Sequence, residues 1–293
     1  MTKTIFNRTS NGAILMDGNV VAKKIQMKIA SDLARTPNAN VTLATVLIGD
    51  DPASKLYVGM KEKRAAAIGI QSKHIELAGN ISMSQACEEI TRLANDPNIH
   101  GILIQLPLPK QLDTHKIIDL LPPEKDVDGL SENNLGKLLR GESGLVPCTP
   151  LGVMRILEHY KISTSGKRAV VIGRSTLVGL PQVLLLGRKG TDATVTLVHS
   201  RSGDIGEFTK TADIVVAAAG IAHLVKKEHI KSGATVIDVG VTRTADGIQG
   251  DVDFDAVQAV AGAITPMPGG TGPMTVACLL ENTVYAAKLQ NVI

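Results

Sequence analysis

The chain has 293 residues, 44% of them apolar, and a formal net charge of +3, which allows one large core or two modest ones and makes two domains the expectation. Basic residues are scattered among acidic ones, with no Trp, three Tyr and three Phe, so neither a phosphate-backbone patch nor base-stacking platforms are available and no nucleic-acid partner is expected. No apolar run reaches the roughly 18 residues of a membrane helix, and neither the three cysteines nor the seven histidines fall at ligand spacing, so no membrane span, disulfide framework or metal is expected. Cys87, Cys148 and Cys278 read as small core or near-site residues. The opening residues lack the apolar stretch of a signal peptide, and a cytoplasmic location is the default expectation.

Strand and helix patterns alternate along the chain, the form that βαβ units take in sequence, so the fold class is α/β with mainly parallel sheets. Val21, Ile25, Ile29 and Leu33 recur at helical spacing, and a β-rich run follows from Val41 to Ile48. Asp51-Pro52 offers a cap and a proline at the first helical position, which predicts a helix to about Ile68, ended by Gly69. Ser54, Tyr57 and Lys61 share one face of that helix. A lysine in a water-poor cleft has its ammonium form disfavoured and can exchange protons near neutral pH. The competing reading is a solvated face, since Lys61-Glu62-Lys63-Arg64 are all charged, and Tyr57 could equally be core.

A strand near His74–Leu77, a helix over about Ser82–Asn95, a strand from Ile99 to Gln105 and a helix around Thr114–Leu121 come next. Gln105 stands at the carboxyl end of its strand, where ligands bind in open α/β sheets. The turn Glu124-Lys125-Asp126-Val127-Asp128-Gly129 holds two carboxylates. Asp is common in turns for local reasons, but one placed in a site could accept two parallel hydrogen bonds from an amidine-like edge such as that of a pterin.

Pro147 and Pro150 mark a boundary that assigns 1–148 plus 276–293 to a first domain and 149–275 to a second. In the second, strands are predicted at Arg168–Ile172, Ala193–Val198, Asp213–Ala218, Thr235–Val239 and near Ala263–Pro266, with a helix over Val178–Arg188. The final helix carries Val276, Leu279, Leu280, Thr283, Val284 and Ala287 on one face, suited to packing back on the first domain. After the first of these strands the chain reads Gly173-Arg174-Ser175, with Gly179 at the helix start. This is an imperfect form of the glycine-rich turn through which backbone amides approach a dinucleotide's phosphates. The competing reading is a tight turn with no ligand. The next strand ends in His199-Ser200-Arg201 with no acid to hold a ribose 2′-hydroxyl. Ser200, Arg201 and Arg174 instead offer donors and positive charge to a 2′-phosphate, which favours NADP over NAD. His199 reads as structural. The loop Thr265–Pro273 combines prolines with glycines before a helix, either to close over a ligand or as a stiff connection.

Taken together, GDDPASKLYVGMKEKRAAAIGI, GILIQLPLP, PPEKDVDG, VPCTPLG, VVIGRSTLVGLP, ATVTLVHS, KSGATVIDVG, GDVDF and TPMPGGTGPMT resemble, in order, the methylenetetrahydrofolate dehydrogenase/cyclohydrolase family from Asp17-Gly18 almost to the end of the chain. The resemblance implies an N-terminal catalytic domain, a Rossmann-type NADP-binding domain and a cleft between them. It makes Lys61 the acid/base, with Tyr57 stacking near the folate, Gln105 orienting or tuning Lys61, and Asp128 binding the pterin. It places Pro268, Gly269, Gly270 and Gly272 at the folate pocket, and Gly173, Arg174, Ser175, Ser200 and Val241 around NADP. Family members are usually homodimers. Thr271 in place of the more usual Val, Ser202 in place of Thr, and an extra first dozen residues are the departures. Two other readings stand beside it, a two-domain dehydrogenase similar to shikimate dehydrogenase and a non-catalytic NADP-binding regulator. Neither uses Lys61, Gln105 and Asp128 together with the PGGTGP loop.

Overall fold

The computed structural model describes residues 6–36, 40–245 and 247–293. In chain order its elements are β1 (Ile14–Leu15), α1 (Gly18–Ala34), β2 (Thr42–Ile48), α2 (Pro52–Ala66), β3 (Gln71–Leu77), α3 (Met83–Ala94), β4 (Gly101–Ile104), α4 (Thr114–Ile118), α5 (Glu132–Arg140) and α6 (Cys148–His159). They continue with β5 (Arg168–Ile172), α7 (Gly179–Gly187), β6 (Thr194–Val198), α8 (Gly206–Thr209), β7 (Ile214–Ala217), β8 (Thr235–Asp238), β9 (Thr242–Thr244), β10 (Gly247–Gln249), α9 (Phe254–Val257), β11 (Ala263–Ile264) and α10 (Thr271–Leu289). No described helix is long and apolar enough to cross a membrane. Two compact units result, one made of Lys23–Cys148 with Val276–Ile293, the other of Thr149–Thr275 with the described residues up to Ala22.

The first unit is built on a parallel sheet in the order β3-β2-β4. Every residue of β2 is buried, as expected of the central strand of a parallel sheet covered on both faces. Ala44, Val46 and Ile48 pack with Ile90 and Leu93 of α3 and with Ile117 and Ile118 of α4. On the other face, Gly101 leaves room for Thr283 of α10 and for Val127. Because the strands are parallel, β2 and β4 end at the same edge of the sheet. The chain leaves that edge into α2 on one side and into Gln105 on the other. The start of α2 is fixed by Asp51, whose carboxylate accepts from the Ser54 amide at 2.8 Å with Pro52 behind it; such a cap satisfies amides that have no helical partner.

The second unit carries a six-stranded, fully parallel sheet in the order β1-β11-β8-β7-β5-β6. From β5 the chain passes to β6 on one side and then crosses to β7 on the other, so the crevice of a doubly wound sheet lies at the carboxyl end of β5. The core beneath it includes Val170, Ile172, Val215, Val236 and Ile264. Ile14 and Leu15 pair with Ala263 and Ile264, which draws the N-terminal segment into this unit, whereas the sequence division had kept all of 1–148 together. A two-residue strand has no alternation by which to announce itself. The strand near Ala263 stops at Ile264, two residues before Pro266, which has no N–H for a ladder.

Candidate active site

Lys61 lies on α2 and is only partly exposed. Its Nζ donates to Gln105 Oε1 at 2.8 Å, while Gln105 Nε2 donates to the Leu106 carbonyl at 2.7 Å. The second bond fixes the amide so that its oxygen faces the amine. Burial holds the Lys61 amine below its ordinary value, opposed by the charges of Asp128 and Cys148. Asp128 is pushed above the usual carboxylate range, again chiefly by burial; Lys61 opposes that rise, Asp126 adds to it, and Cys148, within hydrogen-bonding reach, opposes it. The Cys148 thiol is raised well above its usual value by the same burial and by Asp128 beside it. Its Sγ sits 3.3 Å from the Val127 carbonyl, and Asn282 Nδ2 bonds that same carbonyl at 2.9 Å. Loss of solvent therefore moves both Lys61 and Asp128 toward their neutral forms.

Of the residues singled out from the sequence, Lys61, Gln105 and Asp128 come together. Tyr57 stands one turn before Lys61 on α2, half-buried, and no described hydrogen bond ties it to them. Asp126 has a structural part instead: its carboxylate accepts from the amides of Gly129 and Ser131 and from Asn134 Nδ2, at 2.8 to 3.1 Å. The KDVDG turn is thus held by its first Asp and presents its second. Cys148 stood in the sequence as a small core or near-site residue, and no spacing revealed its place beside Asp128.

In the other unit, Gly173 follows β5 with φ of +115°. A Cβ there would overlap the carbonyl oxygen of Ala218, just after β7, and one at Gly179 would overlap the Gly173 carbonyl. The turn is therefore closed by bare backbone at the point where the strand order reverses. Ser175 Oγ caps the Val178 amide at 3.1 Å. Arg174, Ser175, Ser200 and Val241 are exposed, and all follow strands at the carboxyl edge of this sheet. This arrangement fits a dinucleotide, whose phosphates need close backbone approach and a helix N-terminus. His199 is a turn residue: its Nδ1 accepts from the Arg201 amide at 3.2 Å, and its own amide donates to Ser202 Oγ at 2.9 Å.

Pro268–Gly272 belong to this unit and not to that of Lys61. The Gly18 amide donates to the Gly269 carbonyl at 2.9 Å, and a Cβ at Gly18 would overlap the Gly270 carbonyl. Asp17-Gly18 thus braces the loop. Thr271 is buried with its hydroxyl on the Asp238 carbonyl at 3.0 Å, so the extra polar group relative to valine is satisfied within the fold.

The catalytic domain of the tetrahydrofolate dehydrogenase/cyclohydrolase family matches residues 16–128, and that family's NAD(P)-binding domain matches residues 147–291. The bifunctional protein FolD of Methanoculleus marisnigri is 49% identical, over 94% of this chain and 97% of its own. Among solved structures, the bifunctional FolD methylenetetrahydrofolate dehydrogenase/cyclohydrolase of Campylobacter jejuni superposes with a TM-score of 0.92 at 41% identity, covering 94% of this chain and 99% of the other. The Trypanosoma brucei dehydrogenase-cyclohydrolase, in complex with NADP and an inhibitor, gives 0.90 at 40% identity, covering 94% and 98%. A shikimate dehydrogenase from Aquifex aeolicus shares only the fold, with a TM-score of 0.53 at 16% identity over 87% of this chain and 94% of its own. The chain belongs to the tetrahydrofolate dehydrogenase/cyclohydrolase family.

Proposed function

We propose that this chain oxidises 5,10-methylenetetrahydrofolate to 5,10-methenyltetrahydrofolate with NADP and then hydrolyses the product to 10-formyltetrahydrofolate. The observation that carries the reading is the Lys61–Gln105 pair, an amine shifted toward its neutral form and held 2.8 Å from a fixed amide oxygen. A neutral amine that spends one N–H on Gln105 keeps its lone pair. As water adds to the methenyl carbon, Lys61 takes the proton that water loses. When the ring C–N bond breaks, the same ammonium returns a proton to the leaving nitrogen, and the hydroxyl proton of the adduct passes to solvent as the formyl C=O forms. Asp128 offers its carboxylate to the N–H edge of the pterin, with Tyr57 alongside the ring and Pro268, Gly269, Gly270 and Gly272 bordering the folate.

Gly173, Arg174, Ser175, Ser200 and Val241 would hold NADP, which when bound supplies the hydride acceptor for the first reaction. Arg174 and Arg201 give the preference for a 2′-phosphate. Charge-assisted bonds of this kind contribute about 1.5–3 kcal/mol, so Arg174→Ala should weaken NADP by roughly tenfold or more and leave NAD nearly unchanged. Equal weakening of both cofactors would defeat the 2′-phosphate argument. The function itself is tested by supplying 5,10-methylenetetrahydrofolate with either cofactor and following methenyl absorbance. NADP-dependent accumulation and decay is the expected course, and no turnover with either cofactor sinks the reading.

A homodimer and a cytoplasmic location complete the proposal. Beside β4 the Ile102–Asp126 bridge covers the sheet edge, whereas β3 is the other, open edge, and Leu56 and Met60 stand exposed on α2. An open strand edge with apolar neighbours suits a second copy. A solution mass of one chain would count against it.

A further inference from the structure

Two carboxylates at the carboxyl edge of the six-stranded sheet have no part in the function proposed above. Asp238 ends β8, Asp251 follows β10, and both are buried. Asp251 gathers three consecutive amides: Oδ2 accepts from Ala219 and from Gly220, the latter at 3.0 Å, and Oδ1 accepts from Ile221 at 2.8 Å. Converging backbone N–H groups of this kind form a concavity for an anion, filled here by a side chain of the same protein. Asp238 does for Asp251 what Asp251 does for the loop. Its Oδ1 accepts from the amides of Gly240 and Asp251 and its Oδ2 from that of Val252, each at 3.0 Å. The two are covered reciprocally, since a Cβ at Gly240 would overlap the Asp251 carboxylate and one at Gly250 that of Asp238.

The loop so held has a definite place. It leaves β7, the strand beside β5 at the strand-order reversal, and its Ala218 carbonyl is the atom that excludes a side chain from Gly173. One lip of the crevice is the Gly173–Ser175 turn, and the facing lip is Ala218–Ile221. At that lip the apolar side chain of Ile221 stands 52% exposed. A loop whose Ala219, Gly220 and Ile221 amides are directed inward to a buried carboxylate turns its outer surface to whatever fills the crevice.

We infer that Asp251, seated by Asp238, is a positioning residue for the cofactor, fixing Ala219–Ile221 as the second wall of the dinucleotide site with Ile221 as its apolar contact. The inference rests on the NADP reading above. Asp251 never touches the reacting atoms and acts through the loop.

The test is Asp251→Asn, which keeps the volume but sets an NH2 against one of the three loop amides. Leaving such a pair opposed in a buried site should raise the KM for NADP by about tenfold or more, with kcat at saturating NADP within about threefold. Methenyl hydrolysis assayed without NADP should stay within about twofold, because Lys61, Gln105 and Asp128, which carry its proton transfer and pterin contact, belong to the other unit. A merely structural role would instead lower both activities together, and an unchanged KM for NADP in a folded variant overturns the inference. Should the variant fail to fold, amide exchange in the unaltered protein decides. NADP alone should slow exchange at both 173–177 and 218–222. Slowing at the first segment only overturns the role of the loop and leaves the NADP site standing. Slowing at neither overturns both.

Discussion

Lys61→Ala should lower methenyl hydrolysis by about 100-fold or more while leaving the dissociation constant of NADP unchanged, the loss expected when a positioned acid/base is removed from a proton-transfer step. The size follows from the surroundings. Gln105 is fixed by its bond to the Leu106 carbonyl and has no proton to exchange at neutral pH, and Asp128, held above the usual carboxylate range chiefly by burial, is engaged by the pterin in the proposed site. No neighbour can take over. Lys61→Ala also leaves Gln105 Oε1 without its donor in a half-buried site, so Lys61→Arg is the useful companion. It restores a donor and a charge but stays protonated, and should recover none of the hydrolysis. The pH dependence has a definite sign. Burial lowers the Lys61 value, so the neutral amine that accepts a proton appears at a lower pH than for a free lysine. Hydrolysis in the unaltered enzyme should climb with pH up to that depressed value and level off above it; a fall over that interval, or full hydrolysis in Lys61→Ala, would refute the assignment.

How much of this was legible beforehand depends on the range of the signal. β2, α2 and β5 carry their own instructions, respectively a β-rich run, an Asp-Pro start and a strand leading into glycine, and the structure places them where those signals stand. α5 gives no such sign. Only Asn134 and Leu138 of its nine residues are buried, too few for an apolar stripe, and it depends on the Ser131 cap and on Asp126 beneath it. The strands β9 and β10 have three residues each and, among the described residues, pair only with one another. At the site the same rule holds. Lys61 and Tyr57 share a helix face by spacing alone, but the meeting of Lys61 with Gln105 spans 44 residues of sequence and follows from two parallel strands ending at one edge. The tie between Asp238 and Asp251 was hidden for the opposite reason: both are common turn and strand-end residues, and only the buried amides around them show what they do.

Gly173→Ala should raise the KM for NADP by about tenfold or more and lower the thermal midpoint, yet leave methenyl hydrolysis near its original rate below that midpoint. Two costs fall on one methyl group. The backbone at Gly173 has φ of +115°, where a side chain costs of order 1–3 kcal/mol. The methyl would also overlap the Ala218 carbonyl oxygen, and forcing atoms into a packed site costs about 1–3 kcal/mol more. Neither partner can easily withdraw. The Gly173 amide is tied to the Val198 carbonyl at 2.8 Å and the Ala218 amide to that of Ile172 at 2.8 Å, so relief must come from moving the turn away from the loop after β7. That movement opens the crevice where backbone has to approach phosphate. Exposed Arg174 serves as the control, because Arg174→Ala removes charge without strain and should leave the thermal midpoint alone. If Gly173→Ala binds NADP as tightly as the parent, close approach of the turn is not what holds the dinucleotide, and the phosphates must be bound elsewhere on this sheet.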